Sequence, residues 1–332
     1  MTDVSSVTAL PVVDLRADPE RLRTGLREAA HEFGFFYLTG HGVPDELAGR
    51  VLEAARRLFE LPDADKDAVA MVRSPHFRGY TRLGGELTRG EVDWREQIDI
   101  GPERPAIGGP GKPDYLWLQG PNQWPAALPE LPGVIDEWDA ALSSVARTLL
   151  RHWAASLGSP PDAFEPAFAD TPATLIKIIR YPARAASPQG VGAHRDSGVL
   201  TLLLAEPGSR GLQVRRPDSG EWVDVPPLDG AFIVNIGELL EVATGGYLRA
   251  TEHRVNLGGA AERISVPYFF NPRLDARIPV LSLPEELEAL ASARQDPSDP
   301  IFSVYGRNAW KSRLRAHPDV AAAHGYSSSR VG

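Results

Sequence analysis

Cysteine is absent from the 332 residues, which excludes disulfides, thiolate metal sites and a cysteine nucleophile together. Methionine is down to two residues, and lysine to four against 31 arginines. No apolar run approaches the roughly 18 residues that cross a bilayer; the longest, such as Val199 to Ala205, are strand-sized. The opening MTDVSSVTALPVVD lacks the basic and apolar stretches of a targeting segment, so no signal peptide and no membrane association are expected. A basic excess is missing as well: 35 Lys and Arg against 44 Asp and Glu leave a charge of −9, which argues against a nucleic-acid partner. The arginine bias reads as GC-rich codon usage in a bacterium rather than as anion recognition. With 42% hydrophobic and 24% charged residues, the composition is that of a soluble globular enzyme, expected in the cytoplasm.

Turn formers, by contrast, are abundant. Glycine and proline, 31 and 30 residues, make up about 18% of the chain, against a usual figure near 12%. Many turns mean many short elements, and short elements lean toward β structure. Leu10 to Leu15 and Phe35 to Leu38 read as strands. Between them Leu22, Leu26, Ala30 and Phe33 recur at helical spacing, with Gly34 at the C-cap position. A second helix is expected over Asp45–Glu60, stopped by Pro62, and a long third one from Val134 to Leu157. The stretch from Arg73 to Gly133 is rich in turns and resists assignment.

Beyond residue 170 the rhythm changes. Leu175–Tyr181, Val199–Ala205, Leu212–Arg215, Trp222–Val225, Ala231–Ile236, Ala250–Leu257 and Arg263–Phe270 are strand-like and separated mostly by turn residues. Such spacing predicts a sandwich or jelly roll rather than alternating strand and helix units. The tail reads as partly helical, over Pro284–Ala293 and Phe302–Arg315.

Eight histidines are present, and two of them carry the chemistry. His194 and Asp196 share a face, because residues two apart point the same way in extended backbone. His253, in the strand-like run from Ala250 to Leu257, supplies a second imidazole. Two histidines and one carboxylate are the facial triad of non-haem Fe(II) oxygenases, which leaves coordination positions open for cosubstrate and O2. Arg263 and Ser265 also share a face. A five-residue loop over Gly258 to Glu262 would make a hairpin in which Leu257 opposes Arg263 and Val255 opposes Ser265. Ser265 would then lie about 7 Å from the His253 row, within reach of a five-carbon dicarboxylate bound to iron at its other end. A planar guanidinium beside a hydroxyl suits the distal carboxylate.

The motifs together carry a resemblance. Pro11–Leu15, Gly34–Pro44, Phe77–Tyr80, Gly120–Pro125, His194–Leu203, Val234–Glu238, Thr251–Val255 and Arg263–Ser265 occur in the order of one family. The sequence resembles the isopenicillin N synthase-like branch of the Fe(II)/2-oxoglutarate-dependent oxygenases, in its bacterial form. Two positions depart from the pattern. Ile179 replaces the family asparagine two residues before Tyr181, and Arg195 stands between the metal ligands where threonine is common.

The fold this resemblance implies is mainly β with flanking helices, a double-stranded β-helix or jelly roll. The implied division is an N-terminal helical and strand region over 1–115, a long helix and jelly-roll core over 116–275, and a helical tail over 276–332, all one structural unit. His194, Asp196 and His253 would hold Fe(II), with 2-oxoglutarate and O2 as cosubstrates. Arg263 and Ser265, with Tyr181, would bind 2-oxoglutarate. The implied reaction oxidises an unactivated C–H of a small molecule by hydroxylation, desaturation or cyclisation, in the manner of secondary metabolism, and releases succinate and CO2. Arg78, Tyr80, Arg82, Phe269 and Asn271 are the expected substrate contacts, and the arginines point to an amino acid or carboxylate. Two rivals remain: a family oxidase that does not use 2-oxoglutarate, such as isopenicillin N synthase or the ethylene-forming enzyme, and a metal-free small-molecule-binding barrel.

Overall fold

The structure, a computed structural model, describes residues 10–183, 187–258, 261–292 and 299–326. The first third contributes β1 (Val12–Asp14), α1 (Pro19–Glu32), β2 (Phe35–Thr39), α2 (Asp45–Glu60), α3 (Asp63–Ala68), β3 (Gly79–Thr81), the hairpin β4 (Glu86–Thr88) and β5 (Glu91–Asp93), and β6 (Glu96–Ile100). Helices α4 (Leu131–Ser156) and α5 (Glu165–Phe168) lead into β7 (Leu175–Tyr181), β8 (Gln189–His194), β9 (Leu200–Ala205), β10 (Leu212–Arg215), β11 (Trp222–Asp224) and β12 (Phe232–Ile236). After α6 (Glu238–Ala243) come β13 (His253–Asn256), β14 (Arg263–Phe270), α7 (Glu285–Glu288), α8 (Tyr305–Ala316) and α9 (Pro318–Ala323).

The strands form an eight-stranded sheet, ordered β1-β2-β12-β9-β14-β7-β6-β3, and a four-stranded sheet, β11-β10-β13-β8. Phe35, Tyr37, Ile179, Tyr181 and Ile233 of the large sheet cluster with Val191, Leu212, Val214 and Val255 of the small one, so the two sheets pack face to face. That is the expected jelly roll. Alternation along β14 shows how the sequence sorts itself: Ile264, Val266, Tyr268 and Phe270 enter the helix-side core, while Arg263, Ser265, Pro267 and Phe269 line the interior cavity.

The helices cover the outer face of the large sheet. On α4, Ile135, Trp138, Leu142, Val145, Leu149 and Trp153 recur at helical spacing and are all buried. The Trp153 indole donates to the Leu26 carbonyl of α1 at 3.0 Å and meets Phe36 of β2 edge-on. At the start of α1, Asp18 caps the helix by accepting from the Arg21 N–H at 3.0 Å. At its end Gly34 has φ +68°, and a Cβ there would lie 2.2 Å from the Arg249 carbonyl, so only glycine fits. Among the described residues no helix is long and apolar enough to cross a membrane.

The anticipated strands and helices are present, with ends shifted by a few residues. Five strands were not foreseen, the hairpin β4 and β5 among them. β3 and β6 emerge from the turn-rich stretch, and β8 has a single β-branched residue in Gln-Gly-Val-Gly-Ala-His. The proposed hairpin does not exist. β13 pairs with β10 and β8 in the small sheet, whereas β14 pairs with β7 and β9 in the large one. Arg263 therefore opposes Tyr181, not Leu257, and Ser265 opposes Ile179 and Ala205, not Val255. A five-residue connection can close a hairpin or cross between sheets, and local spacing does not distinguish them. Gly259 and Ala260 of that loop, and Ala293 of the anticipated tail helix, lie outside the described residues.

Candidate metal and cosubstrate site

Strand pairing builds the metal-ligand group. His194 ends β8, His253 begins β13, and the two are cross-strand partners in the antiparallel pair, their ring centroids 4.3 Å apart. Asp196 follows His194 where the chain leaves the small sheet for the large one. Its Oδ1 lies 3.6 Å from His194 Nε2 and 3.7 Å from His253 Nε2. One donor atom from each residue falls within 4.8 Å of the others, close enough for a single ion.

Each donor is oriented from behind. Nδ1 of His194 lies 2.8 Å from the Gly192 carbonyl and Nδ1 of His253 lies 3.1 Å from the Thr251 carbonyl. A carbonyl only accepts, so both rings carry their proton on Nδ1 and turn the Nε2 lone pair inward. Oδ2 of Asp196 accepts from Thr201 Oγ1 at 2.6 Å and Asn235 Nδ2 at 2.8 Å, which leaves Oδ1 for the site. Burial disfavours the Asp196 carboxylate, but bonding to His194, the nearby His253 and the Thr201 hydroxyl hold it ionised, below its ordinary range. Burial, then the neighbouring His194, push His253 down to about 4, so it is a neutral ligand at pH 7. Gly198 and Gly237 let the loop carrying Asp196 close tightly: a Cβ on Gly237 would lie 2.2 Å from the Gly198 carbonyl.

The triad opens into a cavity of about 220 Å³ between the sheets. Arg263 and Ser265 line it as well, although they arrive from the opposite sheet to His253. Arg263 is 3% exposed, and its guanidinium lies over the Tyr181 ring at 4.6 Å. Burial pushes the Arg263 cation down, with Tyr181 as the offset. Its Nε and the Ser265 hydroxyl are both buried without a hydrogen-bond partner. Two orphaned donors at one spot are costly, and their position in a cavity accounts for them if an anion binds there.

The other expected contacts divide. Phe269 and Asn271 line the cavity. Arg78, Tyr80 and Arg82 do not. Arg78 is buried and donates to the Leu118 carbonyl at 2.9 Å, Tyr80 donates to Glu96, and Arg82 is exposed and paired with Asp67. β3 sits at the edge of the large sheet, beyond β6, so its side chains reach the structural network rather than the cavity. The residues that do line that end are Arg95, Lys177, Tyr305, Ser312 and Arg313, none of them anticipated. Thr201 and Asn235 were also missed as supports of Asp196, although both fall within motifs that carried the resemblance.

Two family patterns match the chain: the N-terminal region of non-haem dioxygenases in morphine synthesis over residues 10–127, and the 2OG-Fe(II) oxygenase superfamily over residues 173–272. The 2-oxoglutarate-dependent dioxygenase frbJ of Dothideomycetidae sp. (strain 11243) is 35% identical, over 95% of this chain and 91% of its own length. The chain belongs to the 2OG-Fe(II) oxygenase superfamily. A homoarginine-6-hydroxylase of Glycine max is 34% identical to this oxygenase, over 83% of this chain and 88% of its own length. Among solved structures, JOX2 in complex with 2OG, Fe and JA superposes with a TM-score of 0.72 at 27% identity, over 95% of this oxygenase and 88% of that chain. A putative 2OG-Fe(II) oxygenase family protein from Caulobacter crescentus gives 0.74 at 25% identity, over 93% and 99%.

Proposed function

We propose that His194, Asp196 and His253 hold Fe(II), and that 2-oxoglutarate reaches from the metal to Arg263 and Ser265, with Tyr181 keeping the Arg263 plane in place. The oxygenase acts on a small molecule. The observation that carries this reading is the pair of orphaned buried donors, Arg263 Nε and Ser265 Oγ, in the same cavity as an inward-facing His-Asp-His group. When bound, Fe(II) and 2-oxoglutarate supply the oxidation of an unactivated C–H bond by O2, with succinate and CO2 as co-products.

The chain's own residues do the seating. Gly192 and Thr251 hold the imidazole tautomers, Thr201 and Asn235 fix the carboxylate, and Phe35, Ile179, Val191, Leu203 and Leu212 give the cavity an apolar wall. Ile179 replaces an amide with an aliphatic side chain on that wall, so the cosubstrate's carboxylate depends the more on Arg263. The 31 arginines against four lysines support a GC-rich bacterial source. The test is stoichiometry: one succinate per oxidised product supports 2-oxoglutarate as cosubstrate, and product without succinate restores the oxidase alternative. A metal-free binding barrel would bind no Fe(II) at the triad.

A further inference from the structure

Three buried cations face the cavity. Arg95 precedes β6, Lys177 is on β7 and Arg313 is on α8; they are 7%, 8% and 8% exposed, and all three line the cavity. Their counter-ions stand behind them. Arg95 pairs with Glu86 at 2.9 Å and Asp93 at 3.3 Å, Lys177 with Glu86 at 2.7 Å and Asp99 at 3.5 Å, and Arg313 with Asp99 at 2.5 Å. Glu86, Asp93 and Asp99 are buried, and none of them lines the cavity. The layer is an oriented set of ion pairs whose positive side alone meets the cavity. His317, behind the same layer at 3.6 Å from Glu86, is pushed down to about 4 by burial and adds no charge at neutral pH.

The three cations and three acids cancel in sum, but an ordinary structural network would set either sign against the cavity. Here the sorting is complete. Lys177 stands one pleat, about 7 Å, along β7 from Ile179, the residue opposite Ser265, so it lies beyond the Arg263 end, whereas Arg95, next to the Glu96 that opposes Arg180, sits beside Tyr181. Leu175, Phe269, Ala309 and Ala316 supply an apolar surface beside it, and Phe269 opposes Thr201, the support of Asp196.

We infer that the oxygenase takes a carboxylate-bearing small molecule, whose anionic group docks on Lys177 and Arg313 while its apolar body lies against Leu175 and Phe269 near the triad. The inference rests on the cofactor reading above, since it places the substrate in the space that reading leaves open. Buried, pre-paired cations suit a carboxylate because their positions are already fixed by the acids behind them, so little ordering is lost on binding. A neutral ester or amide would leave that positive face without an anion.

The test uses enzyme loaded with Fe(II) and 2-oxoglutarate under anaerobic conditions. It is titrated calorimetrically with a panel of aliphatic, aryl and N-acylated amino acid carboxylates, each against its methyl ester. Acids are expected to bind about tenfold or more tightly than their esters. Substituting the cationic residues themselves would strip Glu86 or Asp99 of its partner, so the variant chosen is Ser312→Asp, which adds a negative charge at the cavity rim. It should erase the acid preference and leave 2-oxoglutarate affinity as in the wild type, whereas Ser312→Asn should keep the preference. Acids and esters binding alike, no acid in the panel binding below about 10 mM, or a preference untouched by Ser312→Asp would each overturn the inference. Failure of Fe(II) or 2-oxoglutarate to load is seen before any probe is added, and it defeats the cofactor reading instead.

Discussion

Thr201 and Asn235 stand opposite each other across β9 and β12, and both donate to the same oxygen of Asp196. Two neighbouring strands of the large sheet thus clamp a carboxylate whose histidine partners come from the small sheet. The metal group is held at the seam between the sheets. Its geometry depends on their packing as much as on its three residues.

The clamp can be loosened without touching a ligand. Asn235→Ala removes one of the two donors and should weaken Fe(II) binding about 10- to 100-fold, the usual cost of losing an outer partner of a metal ligand. An iron titration followed by tryptophan fluorescence reads this directly. Affinity equal to the wild type would mean that the second hydrogen bond does not orient Asp196.

Removal of a ligand should be more severe. His194→Ala, Asp196→Ala or His253→Ala is expected to abolish Fe(II)-dependent turnover while circular dichroism stays near that of the wild type. Full activity in any one of the three would remove that residue from the metal group.

Stability lies elsewhere, in the helix layer. Trp153 is fully buried, donates to the Leu26 carbonyl and packs on Phe36, so it joins α4, α1 and β2. Trp153→Ala should cost about 3–5 kcal/mol in urea unfolding, from lost burial, an unfilled cavity and a lost hydrogen bond. A loss below about 1 kcal/mol would show that the layer repacks around the gap.

Much of this arrangement is legible in the sequence, and the failures share a cause. Helices α1 and α2 and most strands of the core announce themselves by period, and Gly34 marks a helix end because its positive φ excludes other residues there. The triad is legible because His194 and Asp196 carry a local spacing. Pairing between sheets is not local. The sequence places Arg263 near His253, which is right in space, but by a hairpin that the fold replaces with a crossover. Arg95, Lys177 and Arg313 are spread over more than 200 residues of chain, and only the folded chain brings them to one cavity. Arg78 and Arg82 failed for the same reason: an arginine near a motif can turn toward a carbonyl or a surface aspartate, and here both do.

The buried His317 gives the fold an acid limit. Burial, with Lys177 and Arg313 nearby, outweighs the attraction of Glu86 and lowers the group from 6.5 to about 4. Unfolding frees the imidazole to take a proton at its ordinary value, so in this window the unfolded chain binds more protons. Stability is therefore full above about 6.5 and falls as the pH drops toward about 4. Urea midpoints across that range should show the loss, and His317→Gln should flatten the slope. An unchanged slope in the variant would assign the acid limb to other groups.

The most direct measurement of the central claim is the affinity of the Fe(II)-loaded protein for 2-oxoglutarate, without O2, in the wild type and in Arg263→Lys. Lysine keeps the charge but loses the planar fork that meets a carboxylate with two hydrogen bonds. Losing charge-assisted bonds of about 1.5–3 kcal/mol should weaken 2-oxoglutarate binding about 10- to 150-fold while Fe(II) affinity stays the same. Equal 2-oxoglutarate affinity in the two proteins, or no binding in either, would contradict the account.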